Sequence, residues 1–244
     1  MTDDIRNILF LDIETVACTG DYNALDERMK IQWARKASFF KARDESQTDA
    51  DLFQERAGIY AEFGKIIVIA AGKLVENEKG ERVLRTRCLS NHDEKALLLE
   101  FKVMIEKMDQ STLKLCAHNG KEFDFPYISR RMLVNEISLP AVLNTSGKKP
   151  WDIPHLDTME MWKFGDHKHY TSLDLLAAIF NIPTSKGELD GSKVNTAYYQ
   201  DKDLKKIADY CVGDVMAMAQ LFLKLKGLNM VLSENNTQLK LPLS

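Results

Sequence analysis

The chain alternates short apolar runs of strand length with longer stretches in which apolar residues recur every three or four positions. The run "ILFL" at 8–11 ends on Asp12, the pattern of a buried strand emerging into polar surroundings. Residues 23–63 are rich in charge, lack proline and place Leu25, Met29, Trp33, Ala37 and Phe40 at helical intervals. This predicts one or two helices, with a frayed, solvated stretch near 44–51. Runs at 66–75 and 82–89, separated by "NEKGE", predict a hairpin. The stretch from Ser90 to Met108 carries a helix start, with Ser90 or Asn91 as cap and Glu94 behind it. Residues 113–117 read as a further strand and 124–134 as a helix, with Pro126 in the first turn, where its missing N–H costs nothing. Beyond a loop at 140–154, the pattern gives a strand within 153–157, a short helix at 158–164 and an apolar helix at 172–180 stopped by "NIP". A glycine-bearing loop then leads to a long amphipathic helix at 202–226. Three strands come first and strands then alternate with helices, which predicts an α/β chain with one mixed sheet flanked by helices. No repeat or linker divides it. Residues 1–228 are expected to form a single domain with 23–63 as a helical insertion, and the polar stretch 229–244 a loose tail.

Composition narrows the class. Of 244 residues, 45% are hydrophobic and 28% charged, the balance of a soluble globular protein. No apolar run is long enough for a membrane span and no basic leader opens the chain, so no membrane partner is expected. Cys18, Cys88, Cys116 and Cys211 lack metal-ligand spacing and read as buried thiols of a cytoplasmic protein. A net charge of −3 excludes a strongly basic coat, but not an enzyme that grips a few nucleotides in one cleft. Basic runs at 114–121, 129–131, 148–149 and 163–168 read as solvated faces.

Three clusters carry candidate chemistry. Asp12 and Glu14 are two apart, so on a strand both carboxylates point to one side and repel unless a cation sits between them. In "HNGKEFDFP", Asn119, Phe123 and Asp124 follow a short strand at a strand-to-helix junction, where open α/β sheets place ligands. A helix cap is the competing reading for Asp124. In "DYCVGDV", Tyr210 and Asp214 share one helical face beside the apolar Ile207, Cys211 and Val215. An Asp near a core-facing side is costly unless paired, and a divalent cation shared with Asp12 would pair it.

Together the clusters resemble the three motifs of the DEDD (DnaQ-like) 3′–5′ exonuclease superfamily: D-x-E, N-x3-F-D and Y-x3-D. The "DIET" start and the Asn119–Asp124 form are similar to the proofreading domain of family B DNA polymerases, in particular to stand-alone bacterial exonucleases related to that domain. The stretch from Tyr170 to Val194, followed by "IADYCVGDV", is similar to their C-terminal half, and the resemblance runs from about residue 8 to 225. Tyr210, four residues before Asp214, marks the Tyr subclass; the His subclass would have histidine where Asp209 stands.

The resemblance implies a ribonuclease-H-like fold with a mixed five-stranded sheet, and catalytic roles for Asp12, Glu14, Asp124, Tyr210 and Asp214. Asp12, Glu14, Asp124 and Asp214 would hold two divalent ions, Mg²⁺ or Mn²⁺, whose hard character suits carboxylate oxygens. Such ions, about 3.5–4 Å apart, activate water, clamp the phosphate and stabilise the leaving oxygen. Asp12 is expected to bridge both, with Glu14 and Asp214 completing one site and Asp124 serving the other through water. Tyr210 stays protonated near neutrality and orients the attacking water. Thr15, Val16, Asn119 and Phe123 are expected to contact the terminal nucleotides. His118 is given a structural role, Asp157 a structural role or one supporting the site from behind, and His167–His169 a solvated loop; for Lys186 and Lys193 a phosphate contact competes with a solvated position. The expected substrate is the 3′ end of single-stranded DNA. RNA is the alternative in the same reaction class, and a non-catalytic nucleic-acid-binding module the alternative outside it.

Overall fold

The computed structural model describes residues 5–42, 46–166, 170–184 and 189–231, and the backbone of Thr237–Gln238. Strand β1 (Ile8–Ala17) continues well past its apolar run, so Asp12 and Glu14 lie within a strand that is otherwise largely buried. The helical insertion follows as α1 (Glu27–Lys41) and α2 (Asp49–Arg56). Asp26 caps α1 by accepting from the Met29 N–H at 2.8 Å. A reciprocal Thr48–Asp51 capping box opens α2, so the end of the stretch expected to be frayed is an ordered helix start. The insertion has its own small core. Trp33 is fully buried, packs edge-on against Phe53 at 5.2 Å and Phe63 at 5.0 Å, and donates its indole N–H to the Asp49 carbonyl at 2.8 Å.

Strands β2 (Gly64–Glu76) and β3 (Arg82–Ser90) form the expected hairpin. Helix α3 (Glu94–Glu106) starts differently from its sequence pattern. Asp93 is the cap, accepting from the Ala96 N–H at 3.1 Å, while Glu94 turns inward. There Glu94 takes the Arg131 guanidinium at 2.5 Å and the Ile66 N–H at 2.7 Å. A fork-shaped guanidinium and a backbone donor satisfy a buried carboxylate better than one cap N–H does. Then come β4 (Lys114–Ala117), α4 (Asp124–Val134), β5 (Leu156–Asp157), α5 (Thr158–Lys163) and α6 (Leu173–Ile179). Next are α7 (Val194–Tyr199), which has no counterpart in the sequence reading, and α8 (Leu204–Leu225). β5 is shorter than expected, since Pro154 has no N–H for the ladder.

The strand order is β5-β4-β1-β2-β3-β6, where β6 (Thr237–Gln238) is a two-residue parallel pair on β3. The other five strands make the expected mixed sheet: β1–β2 and β2–β3 are antiparallel, β1–β4 and β4–β5 parallel. The tail is thus partly tied down. Buried Gln220 donates to the Val231 carbonyl at 2.6 Å and accepts its N–H at 2.8 Å, which satisfies an amide that would otherwise be stranded in the core. Helix α8 packs along β1, β2 and β3. Gly72 lets it approach, because a Cβ there would lie 2.8 Å from Val215 Cγ1. Ile66–Ala71 are buried on both alternating faces, and with α8 on one of them, α3 and α4 cover the other. The parallel strands β4 and β5 end together, just past the level of Phe10 on β1, and the candidate site lies there, where β1 runs on through Asp12 and Glu14.

Candidate active site

Phe10 meets Phe222 of α8 at 5.4 Å, so by strand period Asp12 and Glu14 also face α8. Directly after Glu14 the register with β2 slips: Glu14 is opposite Val68 but Thr15 is opposite Ile66. This bulge re-aims the chain immediately beyond the second carboxylate. Helix α8 contributes Tyr210 and Asp214, one turn apart as the spacing requires, with the phenol hydrogen-bonded to Asp214. It also places Cys211 Sγ 3.1 Å from Asp12 Oδ2, and donor atoms of Asp12, Glu14 and Cys211 all lie within 4.8 Å of one another. Asp124 opens α4 without capping it. Its Oδ1 accepts the Ile13 N–H of β1 at 3.2 Å, which fastens the second cluster to the first.

The electrostatics follow from this convergence. Burial pushes Asp12 well above the carboxylate range, and the charges of Asp124, Glu14 and Asp214 push it further. Glu14 rises for the same reasons, through burial and then Asp214 and Asp124. Burial lifts Asp124 to about 7 against the opposing pull of backbone N–H groups. Tyr210 is raised by burial, then by Asp214 and Glu14, and so keeps its proton. The Cys211 thiol is raised by burial, Asp12 and Glu14. Glu14 is 8% exposed and has no hydrogen-bond partner among the described residues. Converging, mutually repelling carboxylates with hard oxygen donors, Glu14 among them without a hydrogen bond, fit a divalent cation.

Other predicted residues fall around this group. Asn119 adopts a left-handed φ of 64°, donates its N–H to Asp157 Oδ1 at 2.9 Å and leaves its own Oδ1 buried without a partner. Asp157 also accepts the Lys121 N–H at 3.2 Å and caps α5, so it holds the turn as a structural residue. His118 has both ring nitrogens engaged, by the Thr158 hydroxyl at 2.9 Å and the Thr171 carbonyl at 2.8 Å, and burial lowers its pKa. Thr15 and Phe123 line a cleft of about 350 Å³ beside Glu14. The Val16 side chain is fully buried in the main core, which leaves only its backbone for substrate contact. Lys193 is exposed and lies 3.4 Å from Asp190. Lys186 and His167–His169 lie outside the described residues. Sequence reasoning took Cys211 for plain core, and it missed Gln54, Ile59, Tyr170 and Asn195, which share the cleft. For Cys211 a signal existed, one residue past Tyr210 and three before Asp214. A cavity of about 500 Å³ at the start of β4, near Lys114 and His155, holds none of the carboxylates.

A family model described as "predicted 3′–5′ exonuclease related to the exonuclease domain of PolB" matches residues 59–242, well over half of the chain. The chain belongs to this exonuclease family. The matched range contains Asn119, Phe123, Asp124, Tyr210 and Asp214 and begins after Asp12 and Glu14. Among solved structures, the family B DNA polymerase from the hyperthermophilic archaeon Pyrobaculum calidifontis superimposes with a TM-score of 0.53 at 14% identity, over 90% of this chain. That likeness is one of fold, ribonuclease-H-like in both, and the exonuclease-family chain spans 24% of the polymerase's length. A search of curated proteins gives no match. Among the described residues of this exonuclease-family chain, no helix is long and apolar enough to cross a membrane.

Proposed function

We propose that the chain is a cytoplasmic, divalent-cation-dependent 3′–5′ exonuclease acting on the 3′ end of single-stranded DNA, in repair or degradation. Residues 1–228 would form its catalytic domain, with 23–63 as an insertion. One observation supports this reading: carboxylates from β1, α4 and α8 converge so closely that burial and then the charges of Asp124 and Asp214 raise Asp12 and Glu14, while burial raises Asp124. A protein keeps such an arrangement at a cost, and a cation site repays it.

Asp12, Glu14, Asp124 and Asp214 would hold two Mg²⁺ or Mn²⁺ ions. Bound there, such ions activate water, neutralise the phosphate and stabilise the departing oxygen. The chain's own residues supply the rest. Tyr210, protonated and fixed on Asp214, orients the attacking water. The Ile13 N–H holds Asp124 in place, and Cys211 donates to Asp12 Oδ2. Asn119 and Phe123, beside the carboxylates, and Thr15, on the bulged strand, contact the terminal nucleotides.

The test uses 5′-labelled single-stranded DNA, 3′-recessed DNA and RNA, with Mg²⁺ or Mn²⁺ and Asp12→Ala as control. Stepwise shortening of single-stranded DNA by the wild type alone supports the proposal. Preferred shortening of RNA transfers it to an exoribonuclease, and no shortening of any substrate overturns it.

A further inference from the structure

Helix α8 brings a sulfur atom into a site otherwise built of oxygens. Cys211 lies one residue past Tyr210 and three before Asp214, so the helix that carries those two also turns a thiol onto β1. Its Sγ stands 3.1 Å from Asp12 Oδ2 and 3.4 Å from the Asp12 carbonyl oxygen, in the notch between that residue's side chain and backbone. Donor atoms of Asp12, Glu14 and Cys211 all lie within 4.8 Å of one another. One ion at ordinary zinc distances, about 2.3 Å to sulfur and about 2.0–2.2 Å to oxygen, spans donors about 4.5 Å apart. Small side-chain movements therefore suffice to bring all three donors onto one ion. A second observation points to a ligand independently of the thiol. Glu14 is only 8% exposed and has no hydrogen-bond partner among the described residues. It also lines the open cleft, which gives an ion a way in. Sulfur changes which ion this set prefers: Mg²⁺ takes hard oxygens and leaves a thiol alone, whereas Zn²⁺ and the softer Cd²⁺ bind thiolate strongly.

We propose that Asp12, Glu14 and Cys211 form a mixed thiolate–carboxylate site for a thiophilic divalent cation, Zn²⁺ or Cd²⁺, and that such an ion inhibits the enzyme by occupying carboxylates that Mg²⁺ or Mn²⁺ needs. On binding, the Cys211 S–H bond breaks, its proton passes to solvent and the sulfur donates an electron pair to the cation, with no change of oxidation state. Mg²⁺ leaves the thiol protonated and hydrogen-bonded to Asp12. One side chain of α8 thus decides whether a soft cation is held more tightly than a hard one. This inference rests on the exonuclease reading for the inhibition alone, and its test separates the two.

The probe is Co²⁺, because a cobalt–thiolate bond gives a charge-transfer absorption in the near ultraviolet that oxygen ligands do not. The wild type is expected to show this band, saturating at one thiolate-bound ion per chain, and Zn²⁺ or Cd²⁺ should abolish it by displacement. Cys211→Ser, which keeps a hydroxyl to donate to Asp12, should lose the band. Its affinity for Cd²⁺, read by competition with a chromophoric chelator, should fall at least about tenfold, and its affinity for Mn²⁺ much less. Glu14→Gln should weaken the band independently, which keeps the test decisive if Cys211→Ser does not fold. Cys88→Ala should retain it, since the Cys88 thiol faces the Ala208 carbonyl at 3.9 Å, one turn earlier on α8. No band, or a band that survives both Cys211→Ser and Glu14→Gln, overturns the site, and Mg²⁺-dependent shortening of single-stranded DNA then leaves the exonuclease standing. A Cys211-dependent band in a protein that shortens no substrate upholds the site and removes the exonuclease reading. A Cys211-dependent band with shortening that saturating Zn²⁺ leaves untouched overturns the inhibition. Neither band nor shortening overturns both readings.

Discussion

Asp124→Asn should make the metal-free protein more stable. Asp124 is 4% exposed, and its carboxyl is pushed up to about 7 from an ordinary 3.8, chiefly by burial. Below pH 3.8 both the folded and the unfolded chain hold the proton. As pH rises from there towards 7 the unfolded chain ionises first, so stability falls across this window and the full cost is present above it. A gap of about three pKa units corresponds to about 4 kcal/mol. The asparagine carries no charge and its Oδ1 can still accept the Ile13 N–H now bonded at 3.2 Å. Its amide must find partners of its own, so the expected gain at pH 8 is about 1–4 kcal/mol, shrinking towards pH 4. Urea denaturation in EDTA at several pH values measures it. Addition of Mn²⁺ should then reverse the order: the wild type gains stability as the logarithm of one plus the ratio of free Mn²⁺ to its Kd, while the variant gains much less. A variant less stable than wild type in EDTA at pH 8, or one that gains as much from Mn²⁺, would refute the cation-site reasoning.

Tyr210→Phe keeps the ring and loses the hydroxyl bonded to Asp214, so kcat should fall about ten- to a hundredfold, the scale of a misoriented reactant. Asp12→Ala should lower it further, and the reverse ranking in a single-turnover assay would remove Tyr210 from its orienting role. Glu94→Ala strands the buried Arg131 guanidinium, which also donates to the Ala61 carbonyl at 2.9 Å, and should cost about 3–5 kcal/mol by denaturant titration. A loss below about 1 kcal/mol contradicts a buried pair. His155 is 3% exposed and burial lowers its pKa to about 4. Since the unfolded chain protonates near 6.5, stability should fall as pH drops from about 6.5 to 4, by up to about 3 kcal/mol. His155→Gln should flatten that slope, and an unchanged slope assigns the pH dependence elsewhere.

What could be read from sequence and what could not divide along a physical line. Asp12 with Glu14 and Tyr210 with Asp214 were legible because each pair obeys the period of its own element, two on a strand and four on a helix. The five main strands were legible for the same reason. Glu94 was misread as part of a cap because its local pattern is that of a capping box; its partner Arg131 is 37 residues away, and no periodicity reports it. Asp124 looked equally like a cap until the Ile13 N–H, 111 positions distant, was seen to claim it. Val16 was expected to touch substrate because it follows the first motif, but the core takes its side chain. Cys211 reads as core by its spacing, and only the fold, across 199 positions, sets its thiol against Asp12. The same reasoning accounts for the insertion. Its apolar spacing predicts one or two helices, yet nothing in that spacing says that they share a small core or that the turn after α2 must rest on β1. That placement depends on Gly58, whose missing side chain admits the β1 backbone. Substituting Gly58 by alanine should therefore displace Ile59 from the cleft and raise KM for single-stranded ends, while Trp33 and Phe53 keep the insertion folded. An unchanged KM in that variant would mean that the insertion's core, and not its seat on β1, fixes the wall.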